Sequence, residues 1–511
     1  MPAVITQAGA LNTTALIVPD AYVQIVPPAI NVFNGQPTNV LGVVGTASWG
    51  PVNQPAVIGS MQGFAQLFGP LAPRKYDLGT QVATAVQQGA NNFRCVRVTD
   101  GTDLAASATL GSAPANITFT SKYTGSYGNG TQITISAGSS STTANPSFKL
   151  TVAMPGVQEV FDNIGGSAAA LWANMANAVN NGLGAMRGPS LLIVATPGTG
   201  IAAPILATTP LAGGTDGVAT ITATTLVGQD ITPRKGMYAL RSLGVAVAWL
   251  ADADDSTQWA SQLAFGISEG VYMIGTGPLG DTIANALTAK QTAGIDSPWF
   301  KLMFGDWIYW QDSVNNILRL VSPQGFVGGL LGNLSPQNST LNKQLFGVVG
   351  TQRSSNPANG VYAYAELQSL IGGGIDLIAN PSPGGNYFGA QAGHNSSSDP
   401  ARNTDAYTRM TDFIAASLGA ASGRFVGQLQ TPQQQLNAKA SLDNFFAGLQ
   451  GQGQIGAFKV TLDATNNPPA RVALGYEQAD IQVTYLNVVE KFLVNFQGGG
   501  SVVIAAATNQ N

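Results

Sequence analysis

Val40-Leu41-Gly42-Val43-Val44-Gly45 is a continuous apolar run of the kind that forms a buried strand, and the fold is read outward from it. Upstream, Tyr22-Val23-Gln24-Ile25-Val26 alternates as a strand does. Downstream, the spacing predicts a short helix over Ser60 to Phe68 and a longer one over Leu78 to Gln88. That second helix leads into Phe93-Arg94-Cys95-Val96-Arg97-Val98, a further strand. The β-α-β order marks the start of an α/β core.

The pattern changes after Asp100. Between about 101 and 217, alternating segments such as Ile117-Thr118-Phe119-Thr120, Gln132-Ile133-Thr134-Ile135-Ser136 and Phe148-Lys149-Leu150-Thr151-Val152 are separated by turn-rich stretches. This reads as an inserted, mainly β domain with one helix over Ala168 to Asn181. It ends at Leu211-Ala212-Gly213-Gly214-Thr215-Asp216-Gly217, whose glycines suit tight turns. The α/β pattern then resumes with strands at Val245 to Leu250 and Gly270 to Ile274, and helices over Ser256 to Ile267 and Asp281 to Thr292. Towards the end, Ala406 to Leu418 (Met410, Phe413, Ile414, Leu418) and Pro432 to Leu449 (Leu436, Leu442, Phe445, Phe446) predict two amphipathic helices. Three strands are predicted after them, at Phe458 to Leu462, Arg471 to Tyr476 and Ile481 to Tyr485. The glycines Gly498, Gly499 and Gly500 separate two strand-like pieces, Glu490 to Phe496 and Ser501 to Ala507. The fold class expected is α+β / α/β multidomain.

Composition narrows the function. The chain has 511 residues, of which 44% are hydrophobic but only 9% charged, against roughly 25% charged in a typical soluble domain. A polar, nearly uncharged surface repels copies of itself weakly, which favours side-by-side packing. The net charge of -4, with basic residues scattered, gives no footprint for nucleic acid. The single Cys95 reads as a packed core thiol. Residues 1–6 lack the basic region of a signal peptide, and no run of about 18 uncharged apolar residues is present to span a bilayer, so no membrane insertion is expected.

Several motifs invite a chemical reading. Gly275-Thr276-Gly277-Pro278-Leu279-Gly280 is a G-x-G-x-x-G between a predicted strand and a predicted helix, with Asp296 downstream, the order used to hold a dinucleotide. Against this, it lies deep in the chain and Pro278 removes an amide donor. The only histidine, His394, sits in a serine-rich loop without a G-x-S-x-G elbow, so a hydrogen-bonding role is expected over a catalytic one. Asp252, Asp254 and Asp255 read as a solvated turn capping the next helix in preference to a cation site. Trp299, Phe300, Phe304, Trp307, Tyr309 and Trp310 read as core or subunit contact, since Lys301 is the only basic residue interleaved with them. No metal and no cofactor are expected.

The order of these pieces resembles one family. Gly45-Thr46-Ala47-Ser48-Trp49-Gly50-Pro51 after the first strand, Leu67-Phe68-Gly69, the Phe93 to Val98 strand, Gly125-Ser126-Tyr127-Gly128-Asn129-Gly130, the returning Leu211 to Gly217, and Val321-Ser322-Pro323-Gln324-Gly325-Phe326-Val327-Gly328-Gly329 together resemble contractile phage tail sheath proteins. The likeness runs along nearly the whole chain, and its specificity lies in the collinear order.

The resemblance implies a structural subunit that polymerises as six-fold rings around a tail tube and contracts to drive the tube through the host envelope. Implied partners are other copies of the chain, the tail tube protein, and baseplate and tail terminator proteins; the implied location is the virion. On this reading 1–20 is an N-terminal arm, 21–100 with 218–390 the α/β sheath core, 101–217 the insert, 391–485 a C-terminal α/β domain and 486–511 a C-terminal arm. The strands Leu16, Ile17, Val18 and Val502, Val503, Ile504 would pair with neighbouring subunits, with Gly498, Gly499 and Gly500 as a hinge. Residues 486–511, at about 3.3 Å per residue, would reach roughly 85 Å. Lys439 and Asp443, the only charges on the 433–449 helix, mark a candidate tube contact. The alternatives are a sheath of a nonviral contractile injection system and a dinucleotide-binding enzyme using 275–280.

Overall fold

In a computed structural model, residues 4–6, 23–25, 33–111, 114–358, 360–494 and 496 are described. The chain divides into two compact units, Met1–Gln36 with Ala415–Leu486 and Pro37–Ile414 with Asn487–Asn511.

In the larger unit a six-stranded sheet runs Phe300–Met303, Tyr272–Thr276, Val247–Leu250, Leu41–Gly45, Phe93–Arg97, Pro55–Ile58. Five strands are parallel and the last pairs antiparallel at the edge. Side chains alternate between two apolar layers, as the two-residue strand period requires. Leu41, Val43, Val247, Trp249, Tyr272 and Ile274 face one apolar cluster, while Val44, Ala248, Leu250 and Met273 face the other. Burial on both faces is why the opening run is apolar at every position.

Helix Leu78–Gln87 is capped by Asp77, whose side chain accepts from the Thr80 amide, and packs against Gln324–Asn333. Glycine sets how close they come. A Cβ on Gly329 would overlap the Ala85 backbone, and one on Gly328 would lie 2.5 Å from the Trp249 ring. The glycines of the 324–329 stretch are thus a packing device.

Residues 105–210 form two antiparallel sheets and the helix Ala168–Asn181 around Phe119, Ile133, Leu150, Phe161, Trp172 and Met175. The glycine-rich motifs at 125–130 and 211–217 meet at its base. Asn129 donates to the Gly214 carbonyl at 3.0 Å and accepts from its amide at 2.8 Å, and Asp216 accepts from the Ser126 amide at 2.6 Å. Buried Arg97 completes the joint, donating to the carbonyls of Gly50 at 2.8 Å and Thr124 at 2.7 Å.

In the smaller unit, helix Pro432–Gly451, capped by Thr431, lays Leu442, Phe445, Phe446 and Leu449 inward; Phe446 stacks on Phe458 of the antiparallel pair Ile455–Thr461 and Asp480–Tyr485. Phe33 lies 6.2 Å from both the Phe425 and Phe445 rings. The division between the units falls within the Asp405–Ser422 helix.

Three expectations are corrected. Arg471 to Tyr476 is no strand: Pro469–Val472 is a short helix, because two prolines at 468 and 469 withhold the amides a strand ladder needs and preset helical φ at the first turn. Leu436 does not join the buried face of its helix and is 60% exposed, because six residues before Leu442 is about one and two-thirds turns, off that face. Within Glu490 to Phe496 the described residues form no helix or strand. Among the described residues no helix is long and apolar enough to cross a membrane.

Candidate functional site

The G-x-G-x-x-G loop follows the buried Tyr272–Thr276 strand and precedes helix Ile283–Thr292, as its pattern anticipates. Two of its glycine amides are already bonded. Gly277 donates to the Met303 carbonyl at 2.9 Å and Gly280 to that of Gly305 at 3.1 Å, while Trp307 Nε1 donates to the Gly277 carbonyl at 3.1 Å. The glycines admit the neighbouring segment, since a Cβ on Gly275 would overlap the Phe300 ring. Asp281 stands at the helix start, accepting from Thr282 N and Asn285 Nδ2, so a carboxylate occupies the place where a phosphate would need free amides. Asp296 is bound instead to Ser398, through its amide at 2.7 Å and hydroxyl at 2.6 Å. Nothing in this geometry cradles a dinucleotide.

The acidic triplet does not converge. Asp252 is buried, accepting from Gln81 Nε2 at 2.9 Å and the Tyr76 amide at 3.2 Å, and burial pushes its carboxyl upward. Asp254 pairs with Lys75 at 2.9 Å, and Asp255 accepts from the Thr257 amide at 3.0 Å. The capping expectation thus fits Asp255 and fails for Asp252, whose side chain is held inward by Gln81 and Tyr76. Among the described residues no group of His, Cys, Asp and Glu is placed to hold a metal. His394 Nε2 lies 2.9 Å from Glu490 Oε1. Phe300, Phe304, Trp307 and Trp310 are buried core. Cys95 is fully buried, which pushes its thiol well up.

One cluster escaped the sequence reading. Lys301, in the strand Phe300–Met303, is wholly buried, with Nζ 2.7 Å from Asp376 Oδ2 and 3.0 Å from Asp405 Oδ1; both carboxylates are also wholly buried. Burial alone would lower the lysine, but the two carboxylates outweigh it and hold the ammonium above its ordinary value. Asp405 also accepts from the Tyr272 hydroxyl at 2.6 Å and the Thr340 hydroxyl at 2.5 Å. Asp376 accepts three backbone amides, from Leu377 at 2.8 Å and from Ala392 and Gly393 at 3.0 Å each. The signal was a lone lysine inside an apolar strand, a place no charge occupies without partners.

Lys439 and Asp443, the candidate tube contact, pair with each other at 3.0 Å on the part-exposed side of helix Pro432–Gly451. Leu16, Ile17, Val18, Gly498, Gly499, Gly500, Val502, Val503 and Ile504 lie outside the described residues. The strands Ile455–Thr461 and Asp480–Tyr485 pair only with each other among the described residues, so each has an edge without a ladder partner.

No family model matches the sequence, and no curated protein matches it by sequence. Solved structures do match. A sheath tail protein of Desulfitobacterium hafniense superposes with a TM-score of 0.58 at 15% identity, covering 87% of this chain and 93% of its own. One of Listeria innocua gives 0.59 at 14%, covering 88% and 96%. The contracted sheath of the anti-feeding prophage gives 0.54 at 12%, covering 94% and 99%. At such identities the likeness is one of fold, and it spans nearly all of each chain: this protein has the fold of the contractile sheath proteins.

Proposed function

We propose that the chain is the structural subunit of a contractile sheath, not an enzyme, and that it polymerises as stacked six-fold rings around a tail tube. The observation that carries this reading is the sheath fold running through nearly the whole chain. Two features support it. The sheet of the smaller unit has only two strands among the described residues, and a strand from another copy that adds to such a sheet extends its hydrogen-bond ladder. The candidate strands are Leu16 to Val18 and Val502 to Ile504, with Gly498 to Gly500 as the hinge that lets linked subunits reorient. The surface is also poor in charge, so close packing of copies carries little like-charge cost.

The virion is the proposed location, with tube, baseplate and tail terminator proteins as further partners and Lys439 and Asp443 at the tube contact. A second reading, the sheath of a nonviral injection system, is favoured by the likeness to the extracellular contractile injection system sheath, TM-score 0.53. Neighbouring genes separate the two: capsid and terminase genes belong to a virion, a sheath-recycling ATPase to secretion machinery. Electron microscopy of the purified chain tests the reading common to both. Tubes or contracted polymers are expected, and deleting 498–511 abolishes them while leaving the circular dichroism of the body unchanged. A chain that stays monomeric under all assembly conditions overturns the proposal.

A further inference from the structure

Lys301, Asp376 and Asp405 are arranged for more than an internal ion pair. The lysine nitrogen stands at hydrogen-bond distance from one carboxylate, 2.7 Å from Asp376 Oδ2, with a second carboxylate, Asp405, at 3.0 Å on the same nitrogen. All three side chains are wholly buried, so bulk water neither competes for the amine nor carries protons between the groups. Oδ1 of Asp376 accepts from the amides of Leu377 and Ala392, the paired backbone donors that stabilise an oxyanion when a carboxyl carbon becomes tetrahedral. A nucleophile, an electrophile held by two amides and a neighbouring acid-base group are the parts of an acyl-transfer site.

We propose that Lys301 and Asp376 join in the folded chain through an intramolecular isopeptide bond, with Asp405 as the proton carrier. Asp405 takes a proton from the ammonium and passes it to Oδ2 of Asp376, so that a neutral amine faces a neutral carboxyl. Nζ attacks Cγ, and the charge that develops on Oδ1 is held by the Leu377 and Ala392 amides. Asp405 then moves a second proton from nitrogen to Oδ2, which leaves as water. One C–N bond forms and one C–O bond breaks; ammonium plus carboxylate become amide plus one water, with no oxidant, nucleotide or metal. The two carboxylates favour the ammonium at rest, so closure is slow. Asp405 keeps a cationic neighbour afterwards, because the buried Arg409 lies within its field.

The product would tie the Phe300–Met303 strand covalently to the 376 segment, closing a loop across 75 residues. For a subunit loaded during contraction this is a mechanical staple, a benefit that rests on the proposed function, whereas the bond itself does not.

Peptide mass mapping of the full-length purified chain tests it. The expected result is an intact mass lower by one water, no tryptic cleavage after Lys301, and a branched peptide joining Lys301 to Asp376. Asp405→Asn keeps an acceptor for Tyr272 while losing the proton carrier; it is expected to fold, by circular dichroism, and to show the linear mass. If that variant misfolds, the wild-type map still decides. Recovery of linear peptides ending at Lys301 from wild-type protein after prolonged incubation overturns the proposal, and polymers seen by microscopy in that sample would leave the sheath reading standing.

Discussion

The indole Nε1 of Trp299 donates to Oδ1 of Asp412 at 2.8 Å, while Oδ2 of the same carboxyl is buried without a partner among the described residues. Burial pushes Asp412 up to about 7, with the Trp299 bond pulling the other way. The folded chain therefore holds a proton that the unfolded chain releases near the ordinary value of 3.8. Stability from this group is complete below that value and is lost as pH rises towards about 7. Asp412→Asn, neutral at every pH, is expected to raise the melting temperature at pH 8 and leave it nearly unchanged at pH 4. Asp77, pushed up to about 6 by burial, tilts the wild-type profile the same way, so the difference between variant and wild type is the quantity to measure.

In the chain before the bond closes, Lys301→Met removes the ammonium that Asp376 and Asp405 share and leaves only Arg409 as a cation in the field of Asp405. Removing one partner of a buried ionic group costs about 3–5 kcal/mol, against a whole-domain stability of only about 5–15 kcal/mol. Urea titration followed by tryptophan fluorescence is expected to show that loss. Adding Asp376→Asn to the same chain is expected to restore part of it.

Gly329→Ala drives a methyl into the Ala85 backbone. Helices Leu78–Gln87 and Gln324–Asn333 must then part, at an overpacking cost of about 1–3 kcal/mol. The denaturation midpoint falls while the far-ultraviolet spectrum is retained.

Titration with NAD is expected to give no saturable heat, because the amides of Gly277 and Gly280 already serve protein carbonyls. Gly277→Val should lower the melting temperature by crowding Gly305, whose amide nitrogen lies 3.1 Å from the new Cβ. Saturable micromolar binding abolished by that variant would reverse the assignment of the loop to packing.

The exposed pair Lys439 and Asp443 contributes only about 0.3–0.5 kcal/mol to its helix. Replacing both with alanine is therefore expected to leave thermal stability within error. Failure of the double variant to co-assemble with tube protein, at unchanged stability, would place the contact there; unimpaired co-assembly would remove it.

The sequence alone determined the elements whose cause is local. The apolar run at Val40 to Gly45, the capped helix at 78–87 and the helix Ala168–Asn181 all follow from periods and caps that a short stretch contains. Collinear order of such pieces was enough to reach the sheath fold. Two local readings went wrong for want of weight on prolines and on angular position, at 471–476 and at Leu436. Only the tertiary structure decided what the glycine-rich loop at 275–280 does, since its meaning depends on Met303, Gly305 and Trp307. Only it brought Asp376 and Asp405, which stand 75 and 104 residues along the chain from Lys301, onto that lysine. The physical reason is the same in both cases. Periodicity reports which way a side chain faces, whereas a buried charge or amide is satisfied by partners that folding brings from elsewhere.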